Sequence, residues 1–448
     1  MKQQTKFKQT EIGMIPEDWE VKGLGNFTVK IGSGITPKGG SSVYIGKGVA
    51  LIRSQNVYNT GFNKEGLAYI DNETAELMKN VELREGDVLL NITGDSVARC
   101  CIVPSKVLPA RVNQHVLIIR AKKELNSYFL RYYLISEPIQ KSLLSLADSG
   151  GTRQALTKTM IESFDIPIID IKEQSAIAKI LSDLDSKIEL NREMNKTLEA
   201  IGQAIFKHWF VDFEFPNEKG KPYKSFGGEM IETELGEIPK GWKVGKLGDL
   251  ITIAIGGDWG EENEFYGSIP VICLRGTDLQ HLKEDGYSPD APVRWIKNKS
   301  LEQRKITDCD LLIGGSGLGP IGRSLYFHSY ISFLWNYPII YSNFCKRLTA
   351  KNKFNAAYAE ILIETIYKSG EMKKYTIGTS IPNLDTNGLL TELIIIPSVE
   401  ILELFYKILE IKFIQHYKKE NLILSQIRDS LLPKLMSGKI RIPIEVTK

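Results

Sequence analysis

Short apolar runs, separated by glycine, proline and asparagine, fill residues 20–170 of this chain. Runs of that length between turn residues predict β-strands, with one modest helix near residues 128–136. The clearest runs are residues 49–52, 88–90 and 116–119. Residues 243–397 repeat the pattern, so the chain is predicted to hold two β-rich mixed domains and to belong to the α+β class.

From Glu173 onward the apolar positions change to steps of three and four residues, which form the stripe of a long amphipathic helix. A second stripe follows the second β-rich stretch. A lone helix of about 35 residues would leave such a stripe in water, so the two helices are predicted to pair. The stripes consist of Ile177, Leu181, Leu184, Ile188, Leu198 and Ile205 in the first helix, and of Ile401, Phe405, Ile408, Ile411, Ile414, Leu424, Leu431 and Leu435 in the second.

Three asparagines, Asn191, Asn195 and Asn421, fall on these apolar stripes. A polar side chain at the seam of paired helices fixes their register or their choice of partner, at some cost in stability. We therefore predict that all three asparagines set helix register or contact a partner.

The chain also carries one sequence pattern twice, half a chain length apart. Residues 10–19 return as residues 233–242, with Thr, Glu, Gly, Ile-Pro and Trp at the same places. Further matches are 86–90 with 309–313, Asn113 before Val116 with Asn336 before Ile339, and 166–167 with 396–397. A duplicated chain is expected to fold as two units related by a pseudo-twofold axis. Because each helix follows its own unit, the two helices should run antiparallel.

The shifts between these patterns place the domain boundaries. The duplicated motif marks the start of each mixed domain, and the change to helical spacing marks its end. The predicted segments are a first mixed domain at 1–170, a helix at 171–212, a linker at 213–232, a second mixed domain at 233–397, a second helix at 398–436 and a C-terminal tail at 437–448.

Composition is that of an ordinary globular protein, with 42% hydrophobic and 25% charged residues. The net charge of +3 neither requires nor excludes a polyanionic partner, because basic faces can be balanced elsewhere. The five cysteines form no CxxC pair and the N-terminus lacks an apolar signal core, which together favour reduced thiols and a cytoplasmic location. Residues 324–345 lack charged side chains, yet their Asn, Pro and aromatic content favours strands with turns over a membrane helix.

Motifs of catalysis are missing from the sequence. It has no GxxxxGK[ST] phosphate loop, no HExxH zinc helix and no Asn/Asp-Pro-Pro-aromatic motif of an adenine methyltransferase. The glycine-rich residues 314–320 resemble a cofactor loop, but Pro320 stands where a helix would have to begin. We predict a tight turn there, and no catalytic residue, metal or cofactor in this chain.

Four motifs, met in order along the chain, resemble those of the specificity subunits of type I restriction-modification systems. They lie at 13–19 with its copy at 236–242, at 32–37 (Gly-Ser-Gly-Ile-Thr-Pro), at 204–213 and at 431–440. The resemblance implies two target recognition domains separated by long helices that form an antiparallel coiled coil. The second domain lacks the Gly-Ile-Thr-Pro loop, so no residue role is carried over at that point.

The resemblance also implies a role and a set of partners. Such a subunit binds double-stranded DNA at an asymmetric, bipartite site and directs adenine methylation and restriction by other subunits. The expected complex contains two methyltransferase subunits, and restriction subunits when cleavage is possible. S-adenosylmethionine, ATP and Mg²⁺ are expected in those partner subunits, with none in this chain.

Polar side chains that follow the predicted strands and turns are the candidate DNA contacts. Arg can pair with guanine in the major groove, and Gln or Asn with adenine, whereas a contact with phosphate adds affinity without specificity. The candidates are Arg53, Ser54, Gln55, Asn56, Arg99, Arg153, Gln154, Arg275, Thr277, Arg323, Lys373 and Lys374.

Two other functions fit parts of the sequence. A coiled-coil assembly scaffold would bind partners but would not retain DNA in a sequence-dependent way. A stand-alone DNA methyltransferase or nuclease would bind S-adenosylmethionine or cut DNA by itself, which the missing motifs argue against.

Helix length should determine the unread spacer between the half-sites. A helix of this length spans about 50 Å, and two readers one turn of duplex apart need about 34–36 Å. Inserting one heptad into one helix should therefore change the spacer and leave both half-sites readable, as measured by the methylated motif. Altered half-site bases with an unchanged spacer would contradict this prediction.

Overall fold

The computed structural model describes residues 5–148, 154–288, 290–317, 319, 321–378, 382–409 and 412–442. Within it the chain forms two compact units. The first comprises Met1–Ser186 and Leu424–Lys448, and the second comprises Lys187–Ile423. Each unit therefore combines one mixed domain with parts of both long helical segments.

The N-terminal part of the first unit contains short strands and, among its described residues, five helices, the fifth of which continues into the second unit. Its strands are β1 (Phe7–Thr10), β2 (Gly13–Pro16), β3 (Glu20–Gly23), β4 (Thr28–Ser33), β5 (Val49–Ile52), β6 (Val57–Tyr58), β7 (Gly61–Phe62), β8 (Ala68–Ile70), β9 (Val88–Asn91), β10 (Cys100–Ile102), β11 (Ala110–Val112), β12 (Val116–Ala121) and β13 (Asp165–Ile168). Its helices are α1 (Asn72–Leu77), α2 (Ser127–Ile135), α3 (Glu137–Asp148), α4 (Lys158–Glu162) and α5 (Ile171–Phe206), which a π-helical turn at Lys207–Val211 extends.

The second unit repeats this composition. Its strands are β14 (Met230–Thr233), β15 (Gly236–Pro239), β16 (Lys243–Lys246), β17 (Ile251–Ile253), β18 (Ser268–Leu274), β19 (Val293–Lys297), β20 (Asp310–Gly314), β21 (Ser324–Tyr326), β22 (Ile339–Tyr341), β23 (Cys345–Ala350), β24 (Thr376–Ile377), β25 (Asn383–Leu384) and β26 (Leu393–Ile396). Its helices are α6 (Gly276–Glu284), α7 (Asn298–Arg304), α8 (Lys353–Lys368), α9 (Thr386–Leu390), α10 (Val399–Leu409) and α11 (Lys412–Met436), the last of which ends in the first unit.

The duplication predicted from sequence is present in the sheets. The first unit has a four-stranded sheet in the order β10-β9-β12-β4 and a three-stranded sheet in the order β11-β5-β8. The second has the corresponding sheets β21-β20-β23-β17 and β22-β18-β19. In both units the three-stranded sheet contains one parallel pair, β11 with β5 and β22 with β18. The α+β fold with two repeated domains and long helices is thus confirmed.

Several local predictions are confirmed as well. The runs at 49–52, 88–90 and 116–119 are β5, β9 and β12, and the helix predicted at 128–136 is α2. The uncharged stretch 324–345 contains strands β21 and β22 and enters β23. No helix among the described residues is long and apolar enough to cross a membrane.

The helix predicted at 398–436 is described as α10 and α11, and residues 410–411 between them, including the stripe residue Ile411, lie outside the described residues. One prediction needs correction. The match of Asn113 with Asn336 is wrong, because the backbone counterpart of Asn113 is Ser342. The amide of Asn113 donates to Ile52 O and that of Ser342 to Leu274 O, at the ends of the paired strands β5 and β18. An insertion between strands shifts the alignment of the two halves of the sequence. The asparagine at position 336 is identical to Asn113, so the shift is not visible from the sequence.

Both units have a buried aspartate at the start of a central strand, Asp87 just before β9 and Asp310 as the first residue of β20. Asp87, with no exposed side-chain surface, accepts a hydrogen bond from the Arg84 amide at 2.8 Å and two from Arg120 at 2.7 Å. Asp310 accepts one from the Thr307 amide at 2.7 Å in the same way. A buried carboxylate is tolerated only when it is fully hydrogen-bonded, so each aspartate fixes the turn that leads into β9 or β20.

The paired helical segments run antiparallel within each unit. In the first unit Asp185 of α5 accepts a hydrogen bond from Arg428 of α11 at 2.9 Å, and Ile177 and Leu181 share a core with Leu435. Burial by itself would raise the pKa of Asp185, but the nearby guanidinium of Arg131 and the hydrogen bonds it accepts hold that pKa below its ordinary value.

The seam asparagines are buried in the second unit. The Asn191 amide donates to Asn421 Oδ1 at 2.8 Å and to Glu420 Oε2 at 2.7 Å, and Asn421 donates to Ile188 O at 3.2 Å. Asn195 is 6% exposed, and its Oδ1 has no hydrogen-bond partner within the described parts of the chain. Because the Asn191–Asn421 pair forms in only one alignment of the two helices, its geometry supports the predicted register role.

In each unit the duplicated opening motif packs on a helix-end motif. Arg441 donates to Asp18 at 2.8 and 2.9 Å and to Glu173 at 2.7 and 3.0 Å. A Cβ at Gly438 would lie 2.4 Å from Pro16 Cγ. In the second unit the Trp242 ring packs against Phe210 and Phe213, with centroids 5.8 Å apart in both cases. In both units the opening motif and a helix-end motif therefore lie in contact.

Replacing Arg441 should destabilise the first unit. Arg441→Met leaves Glu173, whose side chain is 3% exposed, without its partner, and such a loss costs about 3 kcal/mol. The double variant Arg441→Met/Glu173→Met should recover much of that loss, because no buried charge remains unpaired. Urea unfolding of the full chain, followed by circular dichroism, measures both. Equal destabilisation by the single and double variants would contradict this account.

Each unit has a residue with left-handed backbone angles at the equivalent place, and these two residues give a second test of stability. Ala98 (φ 68°) and Gly322 (φ 78°) donate to Asn91 O and Gly314 O, each at 2.9 Å. Gly322→Ala should cost about 2 kcal/mol, because left-handed strain is joined by a Cβ placed 2.4 Å from Met372 Cγ. Ala98→Gly should be neutral within about 0.5 kcal/mol, since relief of strain is offset by lost burial and added chain entropy.

The matched control is Gly267→Ala. Gly267 has φ 73° with nothing within 4 Å of its Cβ position, so its loss of about 1 kcal/mol measures strain alone. The free energy of unfolding of each variant decides the comparison. A Gly322→Ala variant no less stable than Gly267→Ala would contradict the predicted steric clash.

Candidate nucleic-acid interface

The sequence-predicted contacts of the first unit gather on connected loops. We call these loops, residues 34–37, 53–66, 92–99, 113–115 and 154–156, the first loop cluster. Backbone hydrogen bonds join neighbouring loops, including Ile35 N to Val112 O, Ile92 N to His115 O and Leu156 N to Ile92 O. Strands β5, β9 and β11, which precede three of these loops, are largely buried, so those loops are held on a rigid base.

Gly34, the third residue of the Gly-Ser-Gly-Ile-Thr-Pro motif, has no room for a side chain. A Cβ at Gly34 would lie 2.2 Å from the backbone oxygens of Val112 and Asn113. Any side chain would push this loop off the 113–115 turn. The motif is thus a close packing of one backbone on another, and it sets where Thr36 lies.

Asn56 has a structural role. It is fully buried, its Oδ1 accepts the Arg53 amide at 3.0 Å and its Nδ2 donates to Asn63 O at 2.9 Å. A side chain so enclosed holds the loop and does not reach a base edge. Its neighbours Arg53 and Gln55 are more open, and both donate to Gly66 O, at 2.5 and 3.3 Å.

Ser54 and Arg99 lie on the same cluster. The Ser54 carbonyl accepts a hydrogen bond from the buried Asn91 side chain at 2.9 Å. The Arg99 guanidinium lies over the Tyr58 ring, 4.7 Å from its centroid. Stacking on an aromatic ring holds the cation in place while leaving its outer N–H groups for phosphate or base.

Arg153 lies outside the described residues. Gln154 is exposed and donates to Asp148 at 2.6 Å. The next residue, Ala155, forms an isolated β-bridge with Thr93. The segment after residue 153 is thereby joined to the first loop cluster.

Sequence reasoning missed a hydrogen-bonded chain of side chains in this cluster. Thr36 Oγ1 donates to Gln114 Oε1 at 2.5 Å, Gln114 Nε2 lies 2.8 Å from His115 Nε2, and His115 Nδ1 lies 2.6 Å from Thr93 Oγ1. Gln114 is exposed between the buried Asn113 and the half-buried His115. The signal in the sequence was a polar Asn-Gln-His turn between two apolar strands.

The second unit builds the same frame with other side chains. Its loops, together with the helix and strand ends that adjoin them, form the second loop cluster, residues 256–260, 275–278, 314–317, 342–346 and 382–384. A Cβ at Gly257 would lie 2.1 Å from Ser342 O, matching Gly34. Gly315 N donates to Phe344 O and Leu384 N to Gly315 O, both at 2.8 Å. The glycine-rich residues 314–317 therefore form a packed turn, and Leu318 and Pro320 lie outside the described residues.

The Arg275 side chain is hydrogen-bonded to the buried carboxylate of Asp278. It donates to Asp278 at 2.9 and 3.0 Å, and its amide donates to Asp278 Oδ2 at 2.7 Å, as the Arg53 amide does to Asn56. Burial alone would raise the pKa of Asp278, but hydrogen bonds from Arg275 and Ser288 outweigh it, and the pKa lies below its ordinary value. Thr277, between these residues, is exposed.

Of the remaining candidates, Arg323 lines a cavity of about 210 Å³, and Lys373 and Lys374 lie on the surface. Arg323 lines this cavity with Gln280 and Tyr367, and hydrogen-bonds to both. Lys373 and Lys374 are exposed on a 3₁₀ turn, where Lys374 pairs with Glu371. Arg323 is thus held inward, whereas Lys373 is open to an anionic partner.

Four of the five cysteines are buried, and Cys309 is half-buried. Burial raises the pKa of the Cys101, Cys273 and Cys345 thiols to about 12, and it also raises the pKa of Cys100 and Cys309. A thiol with such a pKa stays protonated at neutral pH. No group of three or more His, Cys, Asp or Glu side chains in the described parts of the chain could hold a metal ion.

Comparison with known proteins agrees with this duplicated frame. The family model of the type I restriction modification DNA specificity domain matches residues 16–200 and 239–428. The specificity subunit of the type I restriction enzyme MjaIX from Methanocaldococcus jannaschii is 27% identical, over 98% of this chain and 97% of its own. The HindI specificity subunit from Haemophilus influenzae is 25% identical, over 94% of this chain and 100% of its own.

A solved structure shares the fold. The S subunit of a type I restriction-modification system from M. genitalium covers 97% of this chain and 99% of its own, with a TM-score of 0.55 and 15% sequence identity. At that identity the likeness is one of fold. Because the family model matches most of the chain and matches each half separately, the chain belongs to the type I restriction-modification DNA specificity family.

Proposed function

We propose that the chain is the sequence-specific DNA-binding subunit of a type I restriction-modification complex, and that its two domains read two different half-sites. The observation that supports this is one loop frame built twice with different side chains. Gly34 and Gly257 occupy the same place, whereas Thr36 corresponds to Trp259 and Gln114 to Asn343. A shared scaffold with unlike reading side chains suits an asymmetric, bipartite site.

The chemistry that follows recognition is assigned to partner subunits. Two methyltransferase subunits with S-adenosylmethionine would methylate adenine, and restriction subunits with ATP and Mg²⁺ would cut. This chain would determine the DNA site at which those subunits act. We place the complex in the cytoplasm, where it meets the chromosome. The buried thiols of Cys100, Cys101, Cys273 and Cys345 and the structurally engaged Asp87 and Asp278 are consistent with a subunit that catalyses no step.

A scaffold that never reads DNA is the second candidate. The paired helices would serve a scaffold equally well. The loops would not, because a scaffold has no need for positioned polar groups such as the exposed Gln114 and Thr277 and the half-buried Arg99 at matching ends of two domains. DNA reading is therefore the function that these side chains support better.

Methylome sequencing of the source cell with and without this gene tests the proposed function. We expect one split, asymmetric adenine-methylation motif to disappear when the gene is deleted, and to return on complementation. If every methylation motif persists in the deletion strain while the partner methyltransferase is expressed, the chain does not specify methylation.

Exchanging one domain tests whether each domain reads its own half-site. Replacing residues 1–170 with the first domain of another family member should change one half-site and leave the other half-site as it was. The same readout measures it, with complementation by the unchanged chain as the control. Simultaneous change of both half-sites would show that the two domains do not read independently.

A further inference from the structure

The 113–115 turn and its counterpart 342–344 make the same backbone hydrogen bonds. Asn113 N and Ser342 N donate to the ends of β5 and β18, Val116 N donates to Asn113 O, and Cys345 N donates to Ser342 O. The last residue of each turn accepts from the neighbouring loop, at 3.0 Å for His115 O and 2.8 Å for Phe344 O. The middle residue is therefore Gln114 in one domain and Asn343 in the other, and both are exposed.

Gln114 is held at both ends of its amide. Thr36 donates to its oxygen at 2.5 Å, and its nitrogen lies 2.8 Å from His115 Nε2. An amide nitrogen only donates, so His115 Nε2 must accept. The ring proton then lies on Nδ1 and is donated to Thr93 Oγ1, 2.6 Å away. Each of these three side-chain hydrogen bonds therefore joins a donor to an acceptor.

The amide retains unused hydrogen-bonding capacity. A glutamine side chain has two acceptor positions and two N–H donors, and the two contacts consume one of each. One acceptor and one donor remain on an exposed group that has already lost its rotational freedom. Such a pair matches the N6 donor and N7 acceptor of adenine in the major groove.

We propose that Gln114 is a specificity-determining residue that reads an adenine in one half-site, with Thr36, His115 and Thr93 as positioning residues. This rests on the proposed DNA-reading function. Asn343 presents the other amide suited to adenine at the same place in the second domain. Among the described residues its side chain has no hydrogen-bond partner, so it is free to do so.

The test uses the full complex of this chain with its methyltransferase partners. Methyl transfer is measured on duplexes carrying the split site, with each base pair replaced in turn. For Gln114→Ala the penalty for replacing one A·T pair in one half-site should fall by about 5- to 150-fold, with all other penalties unchanged. Asn343→Ala should do the same at one pair of the other half-site.

Gln114→Glu separates reading from folding. Glutamate keeps the shape but has no N–H donor, and carboxylates accept from cytosine N4. The preference at that one position should therefore shift from adenine towards cytosine, a result that a merely structural residue would not give. The control is Gln9→Ala, an exposed glutamine on β1 whose amide donates to Thr10 O at 3.2 Å, which should leave every penalty unchanged.

Two results would overturn the inference while the proposed function stands. One is a Gln114→Ala complex with every wild-type penalty intact. The other is uniform slowing on all duplexes, without relaxation at one pair. If instead the wild-type complex shows no dependence on any base pair, the proposed function itself fails and this inference with it.

Discussion

Burial of the apolar stripe of α5 is the constraint on which the rest of the structure depends. A 36-residue helix with one apolar side is stable only where another element covers that side. In the first unit Ile177 and Leu181 are covered with the help of Leu435, from the far end of the chain. In the second unit Phe206 packs with Phe405 of α10. Each unit is therefore completed by chain segments that are distant in sequence, and each mixed domain is tied to the helices through its own opening motif.

The second organising feature is a backbone frame that is present in both domains, whereas the side chains at its exposed turns differ between them. Gly34 and Gly257 allow one loop to lie directly on the next strand end, and Asp87 and Asp310 fix the turns that enter the central strands. Both devices act on backbone atoms, so they place few demands on the residues between them. Side chains at the exposed turns can then change without disturbing the fold, which is what a protein that reads variable DNA sites requires.

Sequence patterns predicted much of the fold and only part of the site. Periodicity located β5, β9, β12 and α2, because a strand or helix with one buried face repeats its apolar residues at a fixed step. It failed at Asn336, which looks like the copy of Asn113, since an insertion changed the spacing between equivalent strands. The candidate Asn56 was also misread, because an asparagine that holds a loop from inside has the same letter as one that faces a base.

By itself the sequence determined that there are two similar domains, that long amphipathic helices follow them, and that the chain resembles DNA specificity subunits. These properties depend on local periodicity and on repeated motifs, which are visible in one dimension. Only the tertiary structure decided that Arg275 is paired with Asp278 and that Arg323 faces a cavity. It also showed that four side chains form one hydrogen-bonded series, namely Thr36, Gln114, His115 and Thr93. Those relations join residues from separate loops, and whether a polar group is free or already bonded depends on neighbours that sequence spacing does not specify.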